Sequence, residues 1–289
     1  MKVIFNNDDY GLTYGFSSAI KDAYLKGPTR STSIRINGTN TLKAISLFNG
    51  KLKNLGRGLH LNLTDGKCFV KELGNRQGEY RHNFLTYYLL LLFGSEKIKN
   101  LIIKEFELQY KVLTKNKVQI DHVDGQDHIH MVPQIFEIVC KFCQKHKIKA
   151  IRLVRESFYL PKGVLPNPLS LIKFSILNIF AKVNESTLKK YNLLTTDACY
   201  GVLYTNGMDI KVIKAIIADA ARRSYKSIEI LSHPAYIYQK SDIVYTSKFT
   251  SEYANLPNRL VEAKALRSKT LKKYLDKKTL ELASFADLG

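Results

Sequence analysis

Strand-like and helix-like segments alternate along most of this chain, and that alternation restricts the fold more than any other feature. Residues 2–6 (KVIFN) predict a short apolar strand, with Asp8, Asp9, Tyr10 and Gly11 as the loop behind it. Helical spacing of Ala19, Ile20, Ala23 and Tyr24 predicts a helix over about 15–26, stopped by Gly27 and Pro28. Further strands are expected at 30–36, 57–63, 118–123, 149–154 and 226–231, and further helices at 40–49, 133–146 and 209–223. Repeated βα units of this kind predict parallel central strands with outer helices. Two domains of average size would fit 289 residues, but an α/β barrel also reaches this length as one domain. The expectation is therefore an α/β fold, a single (β/α)-barrel-like domain over 1–289, with apolar insertions near 67–95 and 156–190.

Polar residues collect where the strands end. Asp8 and Asp9 follow the first, His60 lies within the third, His122 to His130 follow the fourth, and His233 follows the strand at 226–231. Parallel α/β folds bind ligands at the carboxyl ends of their strands, so four separate strands deliver Asp and His to what can be one face. The chain has no G-x-G-x-x-G and no G-x-x-x-x-G-K-[ST], which removes the usual support for nucleotide binding. It also lacks the G-x-S-x-G elbow of serine hydrolases. Cys68, Cys140, Cys143 and Cys199 are too few for a disulfide framework, and Cys140 and Cys143 read as two buried thiols on one helix. The start MKVIFNNDDYG turns polar too early for a signal peptide, and no apolar run reaches the ~18 residues of a membrane span. A cytoplasmic protein is expected.

Each polar cluster suggests chemistry. Side chains of neighbouring residues diverge, so Asp8 and Asp9 are expected to take different tasks, one binding a metal and the other acting as a base. A lone strand histidine such as His60 is more often a satisfied core residue than a ligand. The segment DHVDGQDHIH is different, because it packs three aspartates and three histidines into ten residues just before a helix. That density is costly unless a metal or a polar site neutralises it, so a metal or hydrolytic site is favoured there.

Charge adds a separate constraint. Lys and Arg number 45 against 25 Asp and Glu, a net +20, which suggests an anionic partner. No helix-turn-helix, zinc finger or RNP-like motif accompanies the charge, so nucleic acid is not expected. Residues 84–93 (FLTYYLLLLF) are almost wholly apolar, and 166–182 carries Leu169, Ile172, Ile176, Ile179 and Phe180 on one helical stripe, widened by Leu171, Phe174 and Leu177. These segments are expected either to pack on the barrel or in a homodimer interface, or to lie on an anionic membrane surface. The second alternative would place the protein peripherally at the inner face of the membrane.

NNDDYGLT, STSIRING, GLHLNLT and HVDGQDHIHMVPQIF resemble, in order and spacing, the YdjC-like carbohydrate deacetylases, which include the chitooligosaccharide deacetylases. The resemblance continues through AIRLVR, TTDACYG, EILSHPAY and NRLVEAKALRS and so spans essentially the whole chain. It implies metal-dependent hydrolysis of the N-acetyl group of an amino sugar. By position, Asp9 and His60 resemble metal ligands, Asp8 a catalytic base, and His233 a catalytic histidine facing the site. The position of a second ligand histidine is Gln126, a poor ligand for zinc but less out of place on magnesium. The divalent ion (Mg²⁺ or Zn²⁺) could then be held by Asp9, His60 and Gln126, or Asp127 or His130 could take over, or the site could be metal-free. His128, Asp124, Arg152 and Arg155 are the expected substrate contacts, although both arginines also read as ordinary surface residues. The N-acetylated sugar itself could be acidic or lipid-linked. A weakened sugar- or membrane-binding protein on the same scaffold is the alternative that Gln126 keeps open.

Overall fold

The computed structural model describes residues 1–237 and 248–289. Seven strands form one curled parallel sheet: β1 (Lys2–Tyr10), β2 (Ser31–Arg35), β3 (Gly56–Leu61), β4 (His122–Gly125), β5 (Ala150–Ile151), β6 (Ala198–Tyr200) and β7 (Ser227–Ser232). Their spatial order is β5-β4-β3-β2-β1-β7-β6, and every pairing is parallel. A short β8 (Glu281–Leu282) pairs with Lys2 and Val3 of β1. Helices α1 (Tyr14–Lys26), α2 (Thr41–Ser46), α3 (Phe84–Leu92), α4 (Glu96–Lys115), α5 (Pro133–His146), α6 (Pro168–Lys190) and α7 (Ile210–Arg222) lie between strands in sequence. Helices α8 (Lys248–Ala254), α9 (Pro257–Leu266) and α10 (Lys269–Asp276) follow β7. This is a half-barrel of the expected class.

Several boundaries differ from the sequence reading. The first strand continues through Asp8 and Asp9 to Tyr10, because its polar residues find buried partners. Asn7 donates to Ser232 Oγ at 2.6 Å and accepts from Thr29 Oγ1 at 2.7 Å. The strand expected at 118–123 is displaced to His122–Gly125, and the one at 149–154 is confined to Ala150–Ile151. Beyond Ile151 the chain leaves regular pairing as the Arg152 side chain turns into the site. Strand β6 is only three residues long, too short to leave a periodic signal.

Gly58 shows how closely the central strands pack. A Cβ there would lie 2.2 Å from His122 Nε2. The imidazole lies over this glycine and stacks on Phe285 at 3.9 Å, so His122 is a packing residue. Cys140 and Cys143 are buried free thiols on α5, as expected.

The two apolar insertions pack against each other, with Phe84 of α3 stacked on Phe180 of α6 at 6.0 Å. On α6 the stripe splits. Leu177 and Phe180 turn inward, whereas Leu169 is 75% and Ile179 61% exposed, and Ile172 and Ile176 are also open to solvent. On this chain, then, the outer stripe does not pack on the barrel. Among the described residues no helix is long and apolar enough to cross a membrane.

Glu156 anchors the turn after β6, accepting from the backbone N–H groups of Gly201, Val202 and Leu203 at 2.9, 3.1 and 2.9 Å. Burial outweighs those bonds and pushes its carboxyl from 4.5 up to about 7. Between these values the folded state keeps a proton that the unfolded chain has released, so stability falls as pH rises across that window. Glu156→Gln is expected to flatten this part of the profile, which thermal melting at stepped pH measures.

Candidate active site

The parallel register builds the site. Arg35 of β2 is the direct partner of His60 on β3, and His60 is the direct partner of Asp124 on β4. Direct partners in a parallel ladder point to the same face, so the three side chains form one row. One strand further, β1 brings both aspartates to this row. Its register with β2 shifts between Asn7 and Tyr10, and Asp9 adopts the left-handed conformation (φ 68°). That twist cancels the alternation that would send the two side chains apart. Asp8 Oδ2 and Asp9 Oδ1 each lie 3.9 Å from a ring nitrogen of His60. The expected divergence of Asp8 and Asp9 is therefore corrected to convergence.

Arg152 organises the acidic side of the row. Its fully buried guanidinium bonds both oxygens of Asp8 at 2.8 Å and lies 2.8 Å from Asp124 Oδ2. Nε and Nη2 also reach Glu229 Oε1, at 2.9 and 2.6 Å. With its donors spent on three carboxylates, Arg152 is neither a surface arginine nor free for substrate hydroxyls. Asp124 is likewise fully buried, with Ser33 Oγ donating to it at 2.5 Å and His60 Nδ1 at 2.8 Å. It positions His60 and offers no open oxygen to a sugar. Burial opposes its charge, but Arg152 and His60 hold its carboxyl far below the usual range. Arg155 pairs instead with Glu185 at 3.3 Å and the Asp197 carbonyl at 3.1 Å, so the structure does not bring it into this cluster.

The histidines separate into distinct states. Burial works against charge on His60, but Asp124 and Asp8 outweigh it and lift the imidazole to about 9. His130 is pushed down to about 3 by burial and has Nε2 3.1 Å from the Arg152 carbonyl oxygen. His128 and His233 are held neutral by burial, reinforced for His233 by the neighbouring Arg259. His233 sits at the mouth with 15% of its side chain exposed, and its Nε2 is 3.9 Å from Asp8 Oδ2. Consecutive left-handed residues, Asp127 (φ 51°) and His128 (φ 59°), let the His122–His130 segment turn sharply behind the row. His128 Nδ1 and His130 Nδ1 are buried without hydrogen-bond partners among the described residues.

Asp8, His60 and Asp124 each offer a ligand atom within 4.8 Å of the others, so this group could hold a metal ion. Two carboxylates and an imidazole are chemically suited to a divalent cation. The set expected from the resemblance, Asp9, His60 and Gln126, does not fit in the same way. Arg35 Nη1 lies 3.1 Å from Asp9 Oδ1 and 2.5 Å from Gln126 Oε1. His130 has Nε2 on the backbone carbonyl of Arg152, and among the described residues no hydrogen bond joins it to this corner.

Sequence reasoning missed Arg35, Glu229 and Tyr253. Glu229 stood in the apolar strand KSIEIL, where a lone carboxylate is itself a signal for a buried cation. Tyr253, on α8, donates to Asp9 Oδ2 at 2.8 Å, and nothing in its local sequence marked it.

Fold and site together define an enzyme of the parallel α/β-barrel type, with its carboxylates and imidazoles gathered at the carboxyl ends of the strands. The chain belongs to the YdjC-like protein family, whose model matches residues 2–277. A carbohydrate deacetylase of Brevibacillus brevis is 26% identical over 292 residues, covering 100% of both chains. A chitooligosaccharide deacetylase of Salmonella typhi is 27% identical over 288 residues, covering 99% of this chain and 98% of the relative. Among solved structures, a protein of Enterococcus faecalis V583 described as a candidate for cellobiose-phosphate cleavage superposes with a TM-score of 0.75 at 18% identity. It covers 100% of this chain and 98% of its own, and at that identity the likeness bears on the fold alone.

Proposed function

We propose that the protein is a hydrolase that removes the N-acetyl group from an N-acetylated amino sugar or oligosaccharide. The convergence of Asp8, Asp9, His60, Asp124 and His233 carries this reading, supported by the names of the family relatives. Asp8, fixed by Arg152 and by Asn6 Nδ2 at 2.8 Å, is the group that takes the proton of the attacking water. His233 is neutral and its Nε2 is 3.9 Å from Asp8 Oδ2, close enough for a proton to be relayed through one water. It can pass the proton to the departing amine. A divalent ion held by His60, Asp124 and one oxygen of Asp8 would supply Lewis acidity to the acetyl carbonyl, with the other Asp8 oxygen left to take the proton. His128, buried in the neighbourhood of Lys173, is retained as a sugar contact. Acetate release from a panel of N-acetylglucosamine oligosaccharides, with divalent ions supplied, tests the reading. No release from any member would sink it.

The finer reading is an acidic or lipid-linked sugar met at the cytoplasmic, anionic face of a membrane. Its support is the outer face of α3 and α6, where the stripe of Leu169, Ile172 and Ile176 is open to solvent and Phe93 and Leu165, just outside the two helices, are 84% and 85% exposed. A cleft of about 340 Å³, lined by Phe84, Leu169, Ile172 and Ile176, ends at Asp127 and Lys173 beside the site. Residues 81–104 and 158–190 carry nine Lys and Arg against only Glu96 and Glu185. Vesicles with anionic lipid are expected to bind the protein at low salt, with loss on Ile172→Asp/Ile176→Asp. Equal binding by the variant, or a dimer that buries this face in light scattering, would count against the membrane.

A further inference from the structure

The corner of the site that the resemblance reserves for a metal already contains a cation. Asp9 Oδ1, His60 Nε2 and Gln126 Oε1 are the three expected ligand atoms. Arg35 Nη1 bonds the first at 3.1 Å and the third at 2.5 Å, and Gln126 Oε1 is also 3.3 Å from His60 Nε2. The guanidinium is pinned on its other edges. Nη2 donates to Asp65 Oδ2 at 2.8 Å and Nε to Asn37 Oδ1 at 2.9 Å. Asp9 is occupied from its far side too, where Tyr253 donates to Oδ2. Arg35 is 1% exposed and fixed to β2 directly beside His60, so no rotation takes it out of the corner without breaking these bonds.

We propose that Arg35 stands in for the metal ion at the Asp9–His60–Gln126 corner, with Gln126 as its matched acceptor. Two observations come together under this assignment. Gln126 departs from the expected histidine, and its neutral carbonyl oxygen is the acceptor that Arg35 Nη1 requires at this corner. Arg35 brings a permanent charge to balance buried Asp9, whose carboxylate would otherwise need an external cation. A guanidinium has no vacant orbital for a carbonyl or a water, and its donors here are spent on Asp9, Gln126, Asp65 and Asn37. The corner is therefore a positioning element that holds Asp9 and His60 in place. Among the described residues the group left that could hold an ion is Asp8, His60 and Asp124, where the ion would share both carboxylates with Arg152. The assignment rests on the ligand set implied by the resemblance and is independent of whether the chain hydrolyses an amide.

Calorimetric Zn²⁺ titration of the full chain, with circular dichroism to verify folding, tests it. Wild-type Zn²⁺ uptake is expected to be unchanged by Asp9→Asn. Arg35→Met/Gln126→His is expected to bind Zn²⁺ roughly 10-fold or more tightly than wild type, and to lose that gain when Asp9→Asn is added. Gln126→His alone keeps the guanidinium and is expected to gain nothing, which preserves the test if the double variant does not fold. Wild-type Zn²⁺ binding abolished by Asp9→Asn would overturn the proposal. So would a gain from Gln126→His alone, or a folded double variant that binds no better than wild type. Acetate release plays no part in these outcomes, so the deacetylase reading stands or falls separately.

Discussion

Arg152→Met is expected to be the most damaging single change in the site, destabilising the protein by about 3–5 kcal/mol and removing its activity. Methionine matches much of the arginine's length but none of its charge. The substitution would leave Asp8, Asp124 and Glu229 buried within reach of one another and without the guanidinium that bonds all three. Even with Arg152 present, burial raises the Glu229 carboxyl above its ordinary value. Without it, the neighbouring carboxylates would rise as well, because desolvation and like charge act in the same direction. The variant is therefore expected to recover part of its deficit as pH falls and the carboxylates take up protons. Urea unfolding of both proteins at neutral and mildly acidic pH measures this. A loss under 1 kcal/mol, or a deficit that grows on acidification, would contradict the role given to Arg152. Arg152→Lys keeps the charge but cannot span three partners, and belongs between the two.

Asp8→Asn is expected to separate chemistry from folding. One amide oxygen can still accept from Arg152 while the amide nitrogen loses the second bond, so a loss of melting temperature smaller than that of Arg152→Met is expected. Acetate release should fall by roughly 100- to 10,000-fold, the usual contribution of a positioned proton acceptor. A folded variant within 10-fold of wild type would show that Asp8 does not take the proton, and would direct attention to His233. Because His233 is neutral through burial and Arg259, its contribution should vary little with pH across the neutral range.

Much of this site was legible because the fold obeys a general rule about strand ends. Asp8, His60, the His122–His130 segment and His233 could be assigned to one face from alternation alone, and the structure gathers Asp8, His60, Asp124 and His233 there, while His122 packs on Phe285. Their roles were harder to read. Arg35, His60 and Asp124 form a row only because β2, β3 and β4 are neighbours in a fixed register, and neighbour order is a tertiary fact. Nothing in STSIR marks Arg35 as a site residue, yet it is buried against Asp9 and Asp65. The convergence of Asp8 and Asp9 depends on one left-handed residue and a register shift, which an Asp-Asp pair does not announce. Arg152 and Arg155 lie three residues apart on the same segment and have opposite fates. Arg152 turns into the carboxylate cluster, while Arg155 turns away to Glu185.

The position of β1 has a consequence for how the molecule comes to exist. This first strand lies inside the sheet, with β2 on one edge and β7, more than 200 residues later in the chain, on the other. Pairings between such distant segments form late and slowly, because the intervening chain must first be gathered in. During synthesis, β1 must therefore wait with one ladder edge bare until more than 200 further residues have been made. An open row of N–H and C=O groups is a template for pairing with other chains. The strand that supplies Asp8 and Asp9 is thus also the aggregation hazard of the nascent chain, and the closure by β7 that shields it is the same event that carries His233 to the site.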